Sequence, residues 1–153
     1  MNQLPRFFAL TAAGLILFFS LSSLSLAADY VSVKKDGVNI RSGPATNNAV
    51  VMEVFRGFPL RVLEKKGNWL HVSDYENDKG WISKDMTEDT KTVIVVAKTS
   101  VNMRQDADGK SAKIADVEPG VVLQLLKAQG DWRQVKHSGG TTGWMHKTML
   151  WPQ

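Results

Sequence analysis

Apolar and polar positions change rhythm once along the chain. Phe7 to Leu21 is almost unbroken apolar sequence (FFALTAAGLILFFSL) behind a short polar start that carries Arg6. Beyond residue 28 the apolar residues come in short bursts instead. Val38 and Ile40 alternate with polar neighbours, as do Val101 and Met103, and this period of two marks half-buried strands. Leu60 to Glu64 and Val121 to Leu126 are further β-prone runs. Lys65-Lys66-Gly67-Asn68 and Ala128-Gln129-Gly130-Asp131 read as tight turns leading into strands. In Trp69-Leu70-His71-Val72 the two repeated residues, Trp69 and Val72, stand three apart, which calls for a bulge or a strong twist. No stretch beyond residue 28 keeps a helical period for three turns. Many short strands joined by glycine-bearing turns predict an all-β protein of small antiparallel barrels or sandwiches.

The pattern is also written twice. Val38-Asn39-Ile40-Arg41 matches Val101-Asn102-Met103-Arg104, and Gly57 matches Gly120. The block Gly67 to Val72 matches Gly130 to Val135, and Gly80 to Lys84 matches Gly143 to Lys147. All four blocks share one offset of 63 residues, with 17 identities in the 56 positions of 31–86 against 94–149. Four blocks in one register imply two structural units of about 60 residues each. Thr87 to Thr92 (TEDTKT) is short and polar and reads as the linker between them. A unit of this size has little core to spare. Trp69, Trp81, Trp132 and Trp144 are therefore expected to fill the two barrels. Exposure of their rings in a groove is the alternative. Trp151 lies beyond the repeat, with packing onto the second barrel or joining of the two barrels as its options.

The apolar opening changes the picture of compartment. A basic start, a run of 15 apolar residues and small residues at Ala27 and Ala28 form the pattern of a secretory signal peptide. The run falls short of the ~20 residues that span a bilayer. Residues 1–27 are accordingly assigned to a signal peptide, 28–88 to the first domain and 93–153 to the second. The alternative is an uncleaved anchor. Cleavage leaves no other membrane span, so the protein is expected in the periplasm or cell envelope, or secreted.

Composition narrows the chemistry. The chain has 153 residues and no cysteine, which removes disulfides, cysteine nucleophiles and thiolate metal sites. His71, His137 and His146 each align with a different residue in the other unit and form no ligand spacing, and no HExxH or GxSxG motif is present. Asp74, Glu76 and Asp78 alternate through one loop and read as a hydrated hairpin tip rather than a paired-carboxylate site. Neither catalysis nor a metal or cofactor is expected. Residues 28–90 carry 9 basic and 10 acidic side chains, net −1, and residues 91–153 carry 9 and 5, net +4. This mild asymmetry suits an anionic envelope polymer and is too scattered for nucleic acid.

The blocks VNIRSGP (38–44), GNWLHV (67–72) and GWISKDM (80–86), with Gly57 between them, resemble bacterial SH3-like domains of the SH3b type. The second half repeats them as VNMRQDADG, GDWRQV and GTTGWMHKTML. The resemblance covers essentially everything after the signal segment. It implies two tandem small SH3-like β-barrels, a fold often repeated in exported bacterial proteins. Some members bind peptidoglycan or its peptide stems. The second copy departs at Gln105-Asp106-Ala107, where the first has Ser42-Gly43-Pro44, so contacts from this loop need not be shared. The expected function is a non-catalytic envelope module binding peptidoglycan, with a structural or protein-interaction role toward another envelope protein as the alternative. The candidate binding residues are Trp81 and Trp144 for contact area, with Arg41, Lys84, Arg104 and Lys147 on the rims.

Overall fold

The computed structural model describes residues 29–153, so the predicted signal segment lies outside the described residues. The first unit contributes β1 (Tyr30–Val33), β2 (Val38–Arg41), β3 (Val50–Val54), β4 (Pro59–Lys66), β5 (Trp69–Ser73), β6 (Lys79–Ser83) and β7 (Thr87–Glu88). The second contributes β8 (Thr92–Val95), β9 (Val101–Arg104), β10 (Lys113–Val117), β11 (Val122–Gln129), β12 (Trp132–Lys136), β13 (Thr142–His146) and β14 (Leu150–Trp151). A single 3₁₀ turn, Lys84–Met86 or Lys147–Met149, precedes the last strand of each. Each unit is one seven-stranded antiparallel sheet, in the orders β3-β2-β6-β5-β4-β1-β7 and β10-β9-β13-β12-β11-β8-β14. Val54 on β3 and Val33 on β1 stand far apart in that order yet share one core cluster. The sheet must therefore curl upon itself, as a small barrel does.

The cores are aliphatic. Ile40, Leu60, Val72 and Ile82 are at most 1% exposed in the first barrel, and Met103, Leu123, Val135 and Met145 hold the matching positions in the second. Of the repeated tryptophans Trp144 is buried as expected, while Trp69, Trp81 and Trp132 are only half-buried, and none of the four belongs to a core cluster. Strand alternation explains this. Leu70 and Val72 of β5 point inward, so Trp69 and His71 point outward. Trp69 and Val72 thus lie on opposite faces of a regular strand, and the expected irregularity sits elsewhere.

It sits in β3, β4, β10 and β11. Register shifts leave Val51, Leu63, Ile114 and Leu126 each without a partner. These four bulge residues are 41–51% exposed, which accounts for half of the large exposed apolar side chains. A bulge shifts the alternation by one and turns an apolar side chain outward. Beside it, β2 crosses close over the glycine of the Gly-Trp pair. A Cβ on Gly80 would stand 2.9 Å from the Arg41 carbonyl, and one on Gly143 would stand 2.9 Å from that of Arg104. Glycine precedes tryptophan in both copies because backbone occupies the space a side chain would need.

The first strands depart from the repeat register. Val33 donates to the Phe58 carbonyl where Val95 donates to that of Val121, and Val62 donates to Asp29 where Leu125 donates to Lys91. These pairs are offset by 62 on the first strand and 63 on its partner. The second copy therefore carries one extra residue between its first two strands. The slip makes Ser32 the counterpart of Ile94, and both occupy the junction of the barrels.

At that junction Ile94, though it lies on β8, is 2% exposed within the core cluster of the first barrel. Trp151 packs against the same cluster and meets the Tyr30 ring edge-on at 5.5 Å. Of the two options for Trp151, the structure shows the joining one. The Ser32 hydroxyl lies 2.5 Å from the Thr90 carbonyl and 2.6 Å from the Thr92 hydroxyl, which lies 2.7 Å from the Gly57 carbonyl. Two hydroxyl protons thus serve three short contacts. The expected linker is half strand: β7 takes Thr87 and Glu88, β8 begins at Thr92, and residues 89–91 remain between them.

Candidate functional site

The outward face of β2, β5 and β6 gathers the polar and aromatic residues of the first barrel. Cross-strand partners share a face. Arg41 pairs with Trp81, His71 with Trp81, and Trp69 with Ser83. At one end of this face a groove of about 460 Å³ opens, lined by Lys35, Asn39, Arg41, Asn68, Trp69 and Ser83 among others. An indole surface, two cations and four neutral hydrogen-bonding side chains, Thr46 among them, thus converge in one concavity. Asn68 is held by its amide, which donates to a carboxylate oxygen of Asp85 at 2.7 Å and contacts Ser83 Oγ at 3.4 Å.

The six residues named from sequence are dispersed by the fold. Arg41 lines the groove, and its guanidinium donates to the Asn48 carbonyl at 2.9 Å, tying down the loop between β2 and β3. Arg104 does the same to the Ser111 carbonyl at 2.6 Å. Their shared task is to hold a loop backbone, which explains why both copies keep an arginine there. Trp81 neighbours Arg41 but is covered by His71, whose ring stacks on it at 4.8 Å with an 18° tilt. Trp144 is 8% exposed, with the Lys127 ammonium 5.3 Å from its ring, a cation–π distance. Lys84 is exposed and borders a separate hollow with Asp29, Lys65 and Asp89. Lys147 pairs with Asp131 at 2.9 Å.

Asn39, Lys35, Asn68 and Ser83 are not among the candidates, and Trp69 enters only through the alternative of a groove-exposed ring. The signal that finds Trp69, Asn39 and Ser83 is parity: residues 39, 41, 69, 71, 81 and 83 all fall on the outward side once the pairing is known, while Lys35 and Asn68 lie in the turns before β2 and β5. Around the buried Phe58, which is 7% exposed, Tyr75 stands at 36% and Phe55 at 44%. Burial, followed by the nearby Glu76 and Asp74 charges, raises the Tyr75 phenol above its ordinary value.

Among the described residues, Asp74, Glu76 and Asp78 can bring carboxylate oxygens within 4.8 Å of one another. This is not a uniformly hydrated hairpin tip. Asp74 is 5% exposed, and its Oδ1 accepts the backbone N–H groups of Glu76 and Asp78 at 2.9 Å each. It closes the turn as an Asx motif does.

Two tandem small β-barrels define the class of protein by its fold. The chain belongs to the bacterial SH3 domain family, whose pattern it matches twice, over residues 34–88 and 97–152. It is similar to the "Putative N-acetylmuramoyl-L-alanine amidase YrvJ" of Bacillus subtilis (strain 168), with 27% identity over 141 residues, covering 81% of this chain and 27% of that protein. Among solved structures it is similar to NlpC2 of Trichomonas vaginalis (16% identity, TM-score 0.38, 83% of this chain and 49% of that one). A further similarity is to an NlpC/P60 family protein of Bacillus cereus ATCC 10987 (15% identity, TM-score 0.36, 80% and 55%). The chain spans about a quarter of the length of the amidase-named relative and about half of these solved chains.

Proposed function

We propose that this chain is a non-catalytic module of the cell envelope that binds peptidoglycan or its peptide stems through the Trp69 groove of the first barrel. The observation that carries this reading is the convergence of Trp69 with Lys35 and Arg41 in one concavity. An indole face covers an apolar stem or a sugar ring, while the two cations meet the carboxylates of stem peptides. Asn39, Asn68 and Ser83 supply donors and acceptors for amides. Support also comes from the bacterial SH3 family itself, from a relative named for amidase activity, and from the signal-like segment at residues 1–27. The chain matches only part of that relative, so a targeting role fits it better than the whole relative's chemistry. Among the described residues no helix is long and apolar enough to cross a membrane.

The test is co-sedimentation of the purified protein with purified peptidoglycan at low and high salt. Retention that falls with salt is expected, as is about a tenfold loss with Trp69→Ala, equivalent to about 1.4 kcal/mol. No retention at either salt rejects the ligand. The alternative, a protein-interaction module of the envelope, draws on the exposed Phe55 and Tyr75 rings. Stoichiometric capture of one envelope protein without wall binding would favour it.

A further inference from the structure

A second concavity lies between the barrels and shares no lining residue with the Trp69 groove. It measures about 760 Å³ and is lined by the turn before β4, by the connector, by the start of β11 and by the turn after β12. Its size falls within the roughly 300–1,000 Å³ of small-ligand sites, which occur preferentially at domain interfaces. Its floor is close-packed: a Cβ on Gly57 would meet Val122 Cγ1 at 3.1 Å, and this glycine holds φ at +80°.

The charged lining is unbalanced. Arg56 comes from the first barrel and Lys136 from the second, and both are exposed. Neither forms an ion pair among the described residues. Glu88 is the one carboxylate in the lining, so two fixed cations face one anion. His137 adds a donor. Its Nδ1 accepts the Gly139 N–H at 3.0 Å, which places the proton of the neutral ring on Nε2. Two cations brought to one cleft repel each other, and an anion between them relieves this. One excess positive charge matches a monoanionic unit better than a phosphate-rich one.

The remaining lining says what carries the charge. Phe55, 44% exposed, gives a flat apolar ring at the cleft edge. Thr90, Gln124 and Ser138 add exposed hydroxyl and amide groups. An aromatic face beside hydroxyl partners and a cation pair suits a pyranose ring bearing a carboxylate. We infer that the inter-barrel cleft is a binding site for an acidic saccharide, its carboxylate held between Arg56 and Lys136 and its ring set against Phe55.

The experiment is calorimetric titration of the full chain with trigalacturonate, with maltotriose as the neutral control and a tri-glutamate peptide as the acidic non-sugar control. Binding of trigalacturonate alone is expected. Lys136→Glu and Arg56→Glu should each weaken it at least tenfold. Both positions are exposed, and the Arg56 main-chain bond to Asp36 survives the change. Trp69→Ala should leave the affinity unchanged, which separates this site from the groove. Equal binding of maltotriose, stronger binding of the peptide, no trigalacturonate binding, or insensitivity to both charge reversals would each overturn the inference.

Discussion

The two barrels share much of their inner lining and their outward tryptophans, and they differ most at the outward polar positions. Val38 and Val101, Val54 and Val117, Leu60 and Leu123, and Val72 and Val135 are identical pairs, and all but Val101 are buried. Outward, Asn68 becomes Asp131, Ser83 becomes His146, His71 becomes Gln134 and Glu64 becomes Lys127. These exchanges rebuild the surface around the same tryptophans. In the first barrel Trp69 faces a groove and Trp81 carries a stacked histidine. In the second the His146 ring meets Trp132 edge-on at 5.5 Å while bonding to the Thr148 hydroxyl, and Lys147 closes onto Asp131. The groove's polar wall has become an internally paired one. Duplication kept the barrel, and single outward exchanges redistributed what its face can hold.

One inward exchange replaces an apolar residue by a charged one. Leu70 is 4% exposed in the first core, and its counterpart Arg133 turns its guanidinium to the Gly130 and Trp132 carbonyls. At the junction the one-residue slip sets a hydroxyl, Ser32, against an aliphatic chain, Ile94. The second barrel thus lends a core residue to the first.

That loan is where the comparison breaks most easily. Ile94→Ala should cost about 2–5 kcal/mol, the largest effect expected here. Calorimetry should show the first barrel losing more than the second, whereas equal loss in both would deny the shared core. Gly80→Ala should cost about 1–3 kcal/mol through overpacking, since the Arg41 carbonyl cannot move aside without leaving its strand. Gly143→Ala should match it, and denaturant midpoints of the two variants would show whether the Gly-Trp crossing is equivalent in both barrels. The smallest effect concerns Asp131. Its carboxyl is held below the usual 3.8 by the hydrogen bond and charge of Lys147, so what the pair contributes is present above that pH and lost as pH falls through the lowered native value. The Asp131 side chain is largely exposed and that of Lys147 partly so, and Asp131→Asn should leave the melting temperature at neutral pH essentially unchanged.

The fold was legible because its signals are local and doubled: period-two bursts, turn glycines and a repeat in one register. The faces were harder to read. Four bulges shift parity by one residue, so alternation counted along the chain assigns the wrong side past each of them. The tryptophans looked like core because they are large and recur beside glycine. That glycine answers a backbone crossing instead, and the space is filled by Ile40 or Met103. The first-strand slip was hidden because Val33 matches Val96 as well as Val95 in residue type. The groove could not be assembled from sequence, since Trp69 and Arg41 meet only after β2, β6 and β5 align.

The most direct measurement is the stoichiometry and tryptophan dependence of peptidoglycan-fragment binding to the full chain. One site per chain is expected, weakened about tenfold by Trp69→Ala and altered less than about twofold by Trp132→Ala, an energy within the range of near-neutral contacts. Two equivalent sites, or a loss with Trp132→Ala equal to that with Trp69→Ala, would contradict the division of labour between the barrels.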